Sequence, residues 1–337
     1  MPRRRELGRG ERVIAGLWRL RLPLPFPGVP HCNAWAVAAD GGIVLVDTGM
    51  HEPGSMTELE RAFDQVGLSV EQVRLVVCTH AHTDHWGQAA TICDRTGCEM
   101  WMHPNHEHGF AGAADPDVAL ARRLEIGRQC GVPESALARY AEQAKGGPSG
   151  IARVIEPDRE LVAGVSIKTD LGAWTVLETP GHAPSHVCLF QAERRLLISG
   201  DHVLGRISLY FDYGWTPDPI GEFLSSLDAV DELDARLALS GHGKPFLEVH
   251  GHVEGNRGLV GERLDATLAA VAERPRTALE VAPAVHGGPL TEANAGWWLS
   301  ETLCYLRHLE LAGLIASESD RGVERWAAAL SPSRTKP

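Results

Sequence analysis

Thr79-His80-Ala81-His82-Thr83-Asp84-His85 is the stretch on which the reading of this chain turns. Four side chains able to ligate a metal, His80, His82, Asp84 and His85, fall within six residues. They follow Val73–Cys78, a short apolar run that suits a buried strand. Imidazoles and carboxylates crowded at the end of a buried strand are costly unless a cation compensates them. The donors are nitrogen and oxygen with no cysteine pair beside them, which favours Zn²⁺, with Mn²⁺ and Fe²⁺ as the alternatives.

Working outward, three later segments share one format, a glycine-flanked ligand at a strand end. They are Pro180-Gly181-His182, Ser199-Gly200-Asp201-His202 and Ser240-Gly241-His242-Gly243. Glycine lets the backbone turn tightly and approach a metal closely, and strand ends are where rigid scaffolds present functional loops. A carboxylate such as Asp201 is able to bridge two ions. A histidine met alone is more often packed or exposed than a ligand. It is the order of these segments behind the clustered motif that turns them into a candidate ligand set.

That order, HxHxDH followed by His, Asp and His, with the Val46-Asp47-Thr48-Gly49 turn ahead of it, resembles the metallo-β-lactamase superfamily of hydrolases over roughly residues 12–245. The resemblance implies an α+β fold, an αββα sandwich of two facing sheets with helices outside. It also implies two divalent ions. His80, His82 and His182 would hold the first, Asp84, His85 and His242 the second, and Asp201 would bridge them. Asp47 would steady the ligands from behind. A water shared by two such ions loses its proton near neutral pH and attacks a carbonyl carbon or phosphorus, with Asp84 as the catalytic residue that orients it or shuttles a proton.

Neighbouring residues carry weaker expectations. His202 is a candidate for the pocket or for support of the ligands, and so are Tyr210 and Tyr213 from the aromatic group Tyr210, Phe211, Tyr213 and Trp215. His186 is expected to be structural. His103, His106 and His108 are expected on the surface or in a loop.

Residues 1–250 are expected to form the catalytic domain, with a helical insertion at about 104–150. Residues 251–337 are expected to form a small, mostly helical domain. Expected helices include Met56–Val66, Gln88–Thr96, Val118–Gly127, Pro133–Gln143, Pro219–Leu233, Arg257–Ala272 and Trp297–Leu311, with a small strand at Leu314–Ser317. Glu301–Leu309 followed by Gly313-Leu314-Ile315 resembles the winged-helix-like tail of the glyoxalase-II-like and lactamase-β-like subgroup. Arg206, Ile207 and Gly131-Val132-Pro133-Glu134 fit the same subgroup.

The net charge of −12 disfavours nucleic acid as the default partner without excluding it. Arg3, Arg4 and Arg5 read as a solvated terminus. Seven cysteines, an odd number without a CxxC pair, suit a reducing cytoplasm. No run of about 18 apolar residues suggests a membrane span. The leading functional expectation is hydrolysis of an ester or thioester of a small metabolite. The alternatives are a phosphodiesterase or endoribonuclease of the lactamase-β-like type, a lactonase, and, outside enzymes, a metal-binding interaction module. No basic cluster suited to a glutathione carboxylate stands out near the C-terminal segment. Homodimerisation through that segment is expected by analogy alone.

Overall fold

Asp40 and Gly41 both take positive φ, 43° and 74°, the backbone that a two-residue hairpin requires. They fold β3 (Val29–Ala39) back on β4 (Gly42–Val46). Ahead of them, β1 (Arg9–Ile14) and β2 (Leu17–Phe26) complete an antiparallel meander. Three short parallel strands, β5 (Val73–Val77), β6 (Glu99–Met102) and β7 (Arg159–Glu160), extend this to a seven-stranded sheet in sequential order. The second sheet runs β12 (Leu237–Ser240), β11 (Leu196–Gly200), β10 (Val187–Gln191), β9 (Gly172–Glu178), β8 (Ser166–Thr169). This computed structural model describes residues 7–26, 28–146 and 149–329. The basic triplet at positions 3–5 therefore lies outside the described residues.

Period-two alternation sends each strand's side chains to two cores. In β3, Trp35 and Val37 face inward and meet Trp174, Val176, Val187 and Leu189 of the opposite sheet. Ala34 and Ala36 face outward, onto the core that α1 (Ser55–Asp64) closes with Leu59 and Phe63, and α3 (Ala89–Thr96) with Ile92. A buried side chain of this size contributes about 1.5–3 kcal/mol. The outer face of the second sheet packs under α7 (Pro219–Asp231) through Phe223, Leu227 and Val230. The result is the expected αββα sandwich.

An insertion of three helices, α4 (Glu107–Ala114), α5 (Pro116–Gln129) and α6 (Glu134–Ala144), follows β6. Asp115 caps α5 by accepting from the Asp117 and Val118 amides, with Pro116 at the first position. The C-terminal region consists of α8 (Val249–Val271), α9 (Ala278–His286), α10 (Ala295–Leu311) and a hairpin of β13 (Ile315–Asp320) and β14 (Val323–Ala328). Val253, Val281, Leu303 and Tyr305 of these helices share one continuous core with Leu197, Phe211 and Phe223 of the sandwich.

α8 starts eight residues before the helix expected from Arg257, because tertiary packing overrides its glycine-rich opening. Gly255 there lies against Ile207, where a Cβ would collide. α9 was hidden by Pro283, yet a Thr277/Glu280 capping box starts it. Among the described residues no helix is long and apolar enough to cross a membrane.

Candidate metal centre

The parallel strand β5 ends where Asp47, at the end of β4, receives it. Asp47 sits in the left-handed region at φ 62° and is buried. Its Oδ1 accepts from the Thr79 amide at 2.8 Å and its Oδ2 from the Thr79 hydroxyl at 2.9 Å. Past Thr79 the chain makes one helical turn, α2 (Thr83–Trp86), which presents Asp84 and His85. The Trp86 indole donates to the Ala81 carbonyl at 3.0 Å, and Ser185 Oγ accepts from the Ala81 amide at 3.0 Å. The loop carrying the motif is thus held from both sides.

The remaining ligand candidates arrive from the second sheet, and all seven converge. His82 Nδ1 lies 3.0 Å from His80 Nε2 and 3.0 Å from His182 Nε2. Beside this trio, His242 Nε2 lies 3.4 Å from Asp84 Oδ2, and His85 Nε2 lies 3.7 Å from the same oxygen. Asp201 stands between the two groups. Its Oδ2 is 3.0 Å from His242 Nε2 and 3.8 Å from His182 Nε2, and its Oδ1 is 3.6 Å from His85 Nε2. Gly241 is required at this point, since a Cβ would run into Asp201 Oδ1 and the His85 ring.

Each of the five rings has its outward nitrogen occupied. His85 Nδ1 donates to Asp47 Oδ2 at 2.8 Å. His80 Nδ1 donates to Thr79 Oγ1 at 3.0 Å, whose own proton goes to Asp47. His82 Nε2 pairs with Asp212 Oδ2 at 2.9 Å. His182 Nδ1 donates to the Tyr210 carbonyl at 3.0 Å, and His242 Nδ1 to the His31 carbonyl at 2.9 Å. With the outer nitrogens engaged, the five inward nitrogens face one another and the carboxylates of Asp84 and Asp201. His85 Nε2 and Asp201 Oδ1 are buried with no hydrogen-bond partner among the described residues. Crowded nitrogens and orphaned buried polar atoms are costly and become favourable around cations. The donor set, three imidazoles in one group and two imidazoles with a carboxylate in the other, suits Zn²⁺ or a similar divalent ion.

The electrostatics divide the rings: against the cost of burial, Asp201, Asp84 and Asp47 hold the His85 pKa well above its ordinary value, and Asp212 and Asp84 raise that of His82. Burial keeps His80 and His182 neutral, the His182 pKa falling to about 4. Burial works against the charged form of His242 too, but Asp201 and Asp84 outweigh it and raise this pKa to about 9. Asp201 is held ionised well below the usual carboxylate range, because His242 and His85 offset its desolvation.

Four supports had no signal in the spacing of the motifs. Asp212 backs His82, and His108 of α4 in turn donates to Asp212 Oδ2 from Nδ1 at 2.9 Å. His108 Nε2 reaches Ser185 Oγ at 2.8 Å. The expectation of a surface or loop position for His108 is corrected, since its ring is buried between these partners. Asn33 donates from Nδ2 to the Ser240 carbonyl at 2.8 Å and from its amide to the Gly241 carbonyl at 2.7 Å. The buried Arg19 donates to Asn33 Oδ1 at 2.8 Å and also to the Gly243 carbonyl. Together they pin the loop that presents His242.

The weaker candidates separate. Tyr210 packs its ring at an angle against His82 and His182, with centroids 5.8 Å and 5.7 Å away. Burial and then the charge of Asp212 raise its phenol pKa well above the ordinary value. The Tyr213 hydroxyl is engaged by Gln129 of α5 at 3.0 Å and Arg307 of α10 at 3.2 Å, joining the insertion to the C-terminal helices. His202 packs its ring on Phe223 at 4.8 Å, and burial lowers its pKa to about 3. His186 accepts from the Asp201 amide at 3.0 Å and donates to Thr179 at 2.8 Å, the structural role expected of it.

A sandwich with such a cluster at its strand ends is the architecture of a metallo-hydrolase. The model of the metallo-beta-lactamase superfamily matches residues 27–242, and the chain belongs to that superfamily. It is 26% identical over 318 residues to the probable metallo-hydrolase YqjP of Bacillus subtilis, covering 91% of this chain and 95% of that protein. The crystal structure of a beta-lactamase domain protein from Burkholderia ambifaria superposes with a TM-score of 0.83 at 30% identity, covering 95% of this chain and 94% of that one. The thioesterase pkgB of Emericella nidulans is 23% identical over 219 residues, covering 64% of this chain and 47% of that protein.

Proposed function

We propose that this chain is a dinuclear metal-dependent hydrolase acting on the ester or thioester of a small metabolite. The observation that carries the reading is the convergence of bare nitrogen and carboxylate donors from seven residues, each histidine fixed from behind by an acceptor. We assign His80, His82 and His182 to one ion, Asp84, His85 and His242 to the other, and Asp201 to both. The ions supply a Lewis-acid pair that polarises the substrate oxygen and acidifies a water between them.

The chain's own residues do the rest. Asp84, 3.4 Å from His242 Nε2, orients the attacking water and moves its proton toward the leaving group. Asp47 and Asp212 hold the His85 and His82 rings in the tautomer that leaves the inward nitrogen bare. The Tyr210 ring forms a wall beside the first ion, its proton retained. The preference for an ester or thioester rests on the aromatic stretch 210–215 and on the thioesterase name carried by a distant relative. We read residues 249–329 as the winged-helix-like tail of the glyoxalase-II-like subgroup, from their order of three helices and a hairpin. Seven free cysteines suit a reducing cytoplasm.

The test is metal analysis joined to a panel of thioesters, esters, lactones and phosphodiesters. About two metals per chain and turnover of a thioester or ester are expected. Asp84→Ala should lose at least about a hundredfold in kcat while keeping its fold, the scale of a general-base contribution. Turnover confined to phosphodiesters would overturn the bond class. A metal-loaded protein inert toward the whole panel would leave an interaction module, and full activity in Asp84→Ala would remove that residue's role.

A further inference from the structure

Outside the metal centre, Cys93 on the last turn of α3 and Cys98 just ahead of β6 bring two thiols together. Their sulfurs lie 3.8 Å apart. Gly97, at φ 69°, ends the helix and folds the chain so that the two residues face each other across five positions. Both are partly exposed, whereas the other five cysteines are buried. A disulfide needs its sulfurs at about 2.05 Å, a closure of under 2 Å that side-chain rotation at a helix end supplies.

We propose that Cys93 and Cys98 form an oxidisable dithiol site that closes to an intramolecular disulfide when the protein meets hydrogen peroxide. The Cys98 thiolate attacks one peroxide oxygen. An S–O bond forms, the O–O bond breaks and hydroxide leaves, to be protonated to water. Cys93 then attacks the Cys98 sulfenic sulfur. The S–S bond forms, the S–O bond breaks and a second water leaves with the Cys93 proton. Two thiols are oxidised by one peroxide reduced to two waters. The roles follow from the local partners. The two sulfurs share a hydrogen bond in which either thiol can donate; with Cys93 as the donor, and with Thr96 and the neighbouring backbone beside it, the Cys98 pKa falls to about 7. A thiolate is the reactive form. The Cys93 thiol is pushed the other way.

The experiment treats the full-length, metal-loaded protein with a small excess of hydrogen peroxide and follows intact mass and a non-reducing peptide map. A loss of two hydrogens per chain is expected, confined to a Cys93–Cys98 bridge and reversed by dithiothreitol. Cys93→Ser should stop at a sulfenic acid on Cys98 that dimedone traps, and Cys98→Ser should show neither product. In untreated wild-type protein, Cys98 should be the first residue alkylated by iodoacetamide at neutral pH, a readout that needs no variant to fold. A bridge to Cys78 or between chains would overturn the proposal. So would oxidation straight to sulfinic acid in the wild type, or alkylation that begins at another cysteine.

Discussion

Asp47 accepts a hydrogen bond from Nδ1 of His85 at 2.8 Å, and this one contact turns the opposite nitrogen of the ring, buried and without a hydrogen-bond partner among the described residues, into the middle of the ligand cluster. The carboxylate is buried, sits on a left-handed backbone and takes donors from Thr79 as well. Its two oxygens therefore accept from three donors.

Replacing it by asparagine should be more instructive than deleting it. Asn tolerates the left-handed backbone, and its oxygen can still take the Thr79 amide. Its NH₂ then faces His85 Nδ1 as a donor and drives the ring proton to Nε2, the atom needed inward. Asp47→Asn should fold, keep its first metal and lose second-site affinity by about 10–100-fold. Metal content after dialysis against chelator-buffered zinc measures this. Two ions held at wild-type affinity would show that Asp47 does not set the tautomer.

On the other side of the cluster, Asp212 and His108 form a graded series. Asp212 touches the His82 ring directly, so Asp212→Asn should weaken the first site by about 10–100-fold. His108→Ala leaves the Asp212–His82 contact in place and removes a donor to Asp212 together with the ring's bond to Ser185, which still holds the Ala81 amide. Its loss should be smaller, under about tenfold. The reverse ranking, read from zinc competition with a chromophoric chelator, would mean that the insertion holds the site by some route other than Asp212.

These supports also mark where the sequence stops being legible. The ligands announce themselves because four of them share one turn after a buried strand and the rest sit beside glycines at strand ends, all local signatures. Asp212 lies 130 positions from His82, and Asn33 lies 207 from Ser240. A carboxylate or amide that acts across the fold leaves no periodicity or spacing behind. Asp212 stood inside the aromatic stretch already singled out, with nothing to say which way it points. His108 looked like a loop histidine because only the folded insertion brings it under Ser185. The αββα sandwich came from the family resemblance that the ordered motifs carry, whereas the start of α8 was masked by glycines that packing tolerates.

Metal binding should release protons. In the metal-free protein His242 carries a pKa of about 9, raised by Asp201 and Asp84 against the cost of burial, while the unfolded value is about 6.5. The folded metal-free chain therefore holds a proton between these values that the unfolded chain lacks. That contribution to stability is complete below pH 6.5 and is lost as pH rises through 9. Ligation requires the neutral ring, so apparent second-site affinity should climb with pH up to about 9. Titration calorimetry at pH 7.5 in two buffers of different ionisation heat should show at least one proton released at the second site in wild type, from His242 and from His85, whose pKa is also raised, and less in His242→Ala. No buffer dependence would contradict the assignment of His242.

Acid should loosen the C-terminal helices through His286. Its ring stacks on Trp298 at 4.6 Å with planes 7° apart, and Nε2 donates to Thr302 Oγ1 at 3.3 Å. Glu301 lies 4.0 Å from Nδ1, but its charge is taken up by the buried ion pair with Arg263. Burial first, and the Arg263 charge second, lower the His286 pKa to about 4. A depressed histidine stabilises the fold fully above the unfolded value near 6.5, and the stability drains as pH falls from there to about 4. Fully expressed, the shift corresponds to roughly 3 kcal/mol. His286→Phe keeps the stacked ring without the titration. Its urea-unfolding free energy should fall less steeply between pH 6.5 and 4, by up to one proton in slope, with the remaining slope left to the other buried histidines. An unchanged slope in that variant would mean that the ring is already solvated before the helices part.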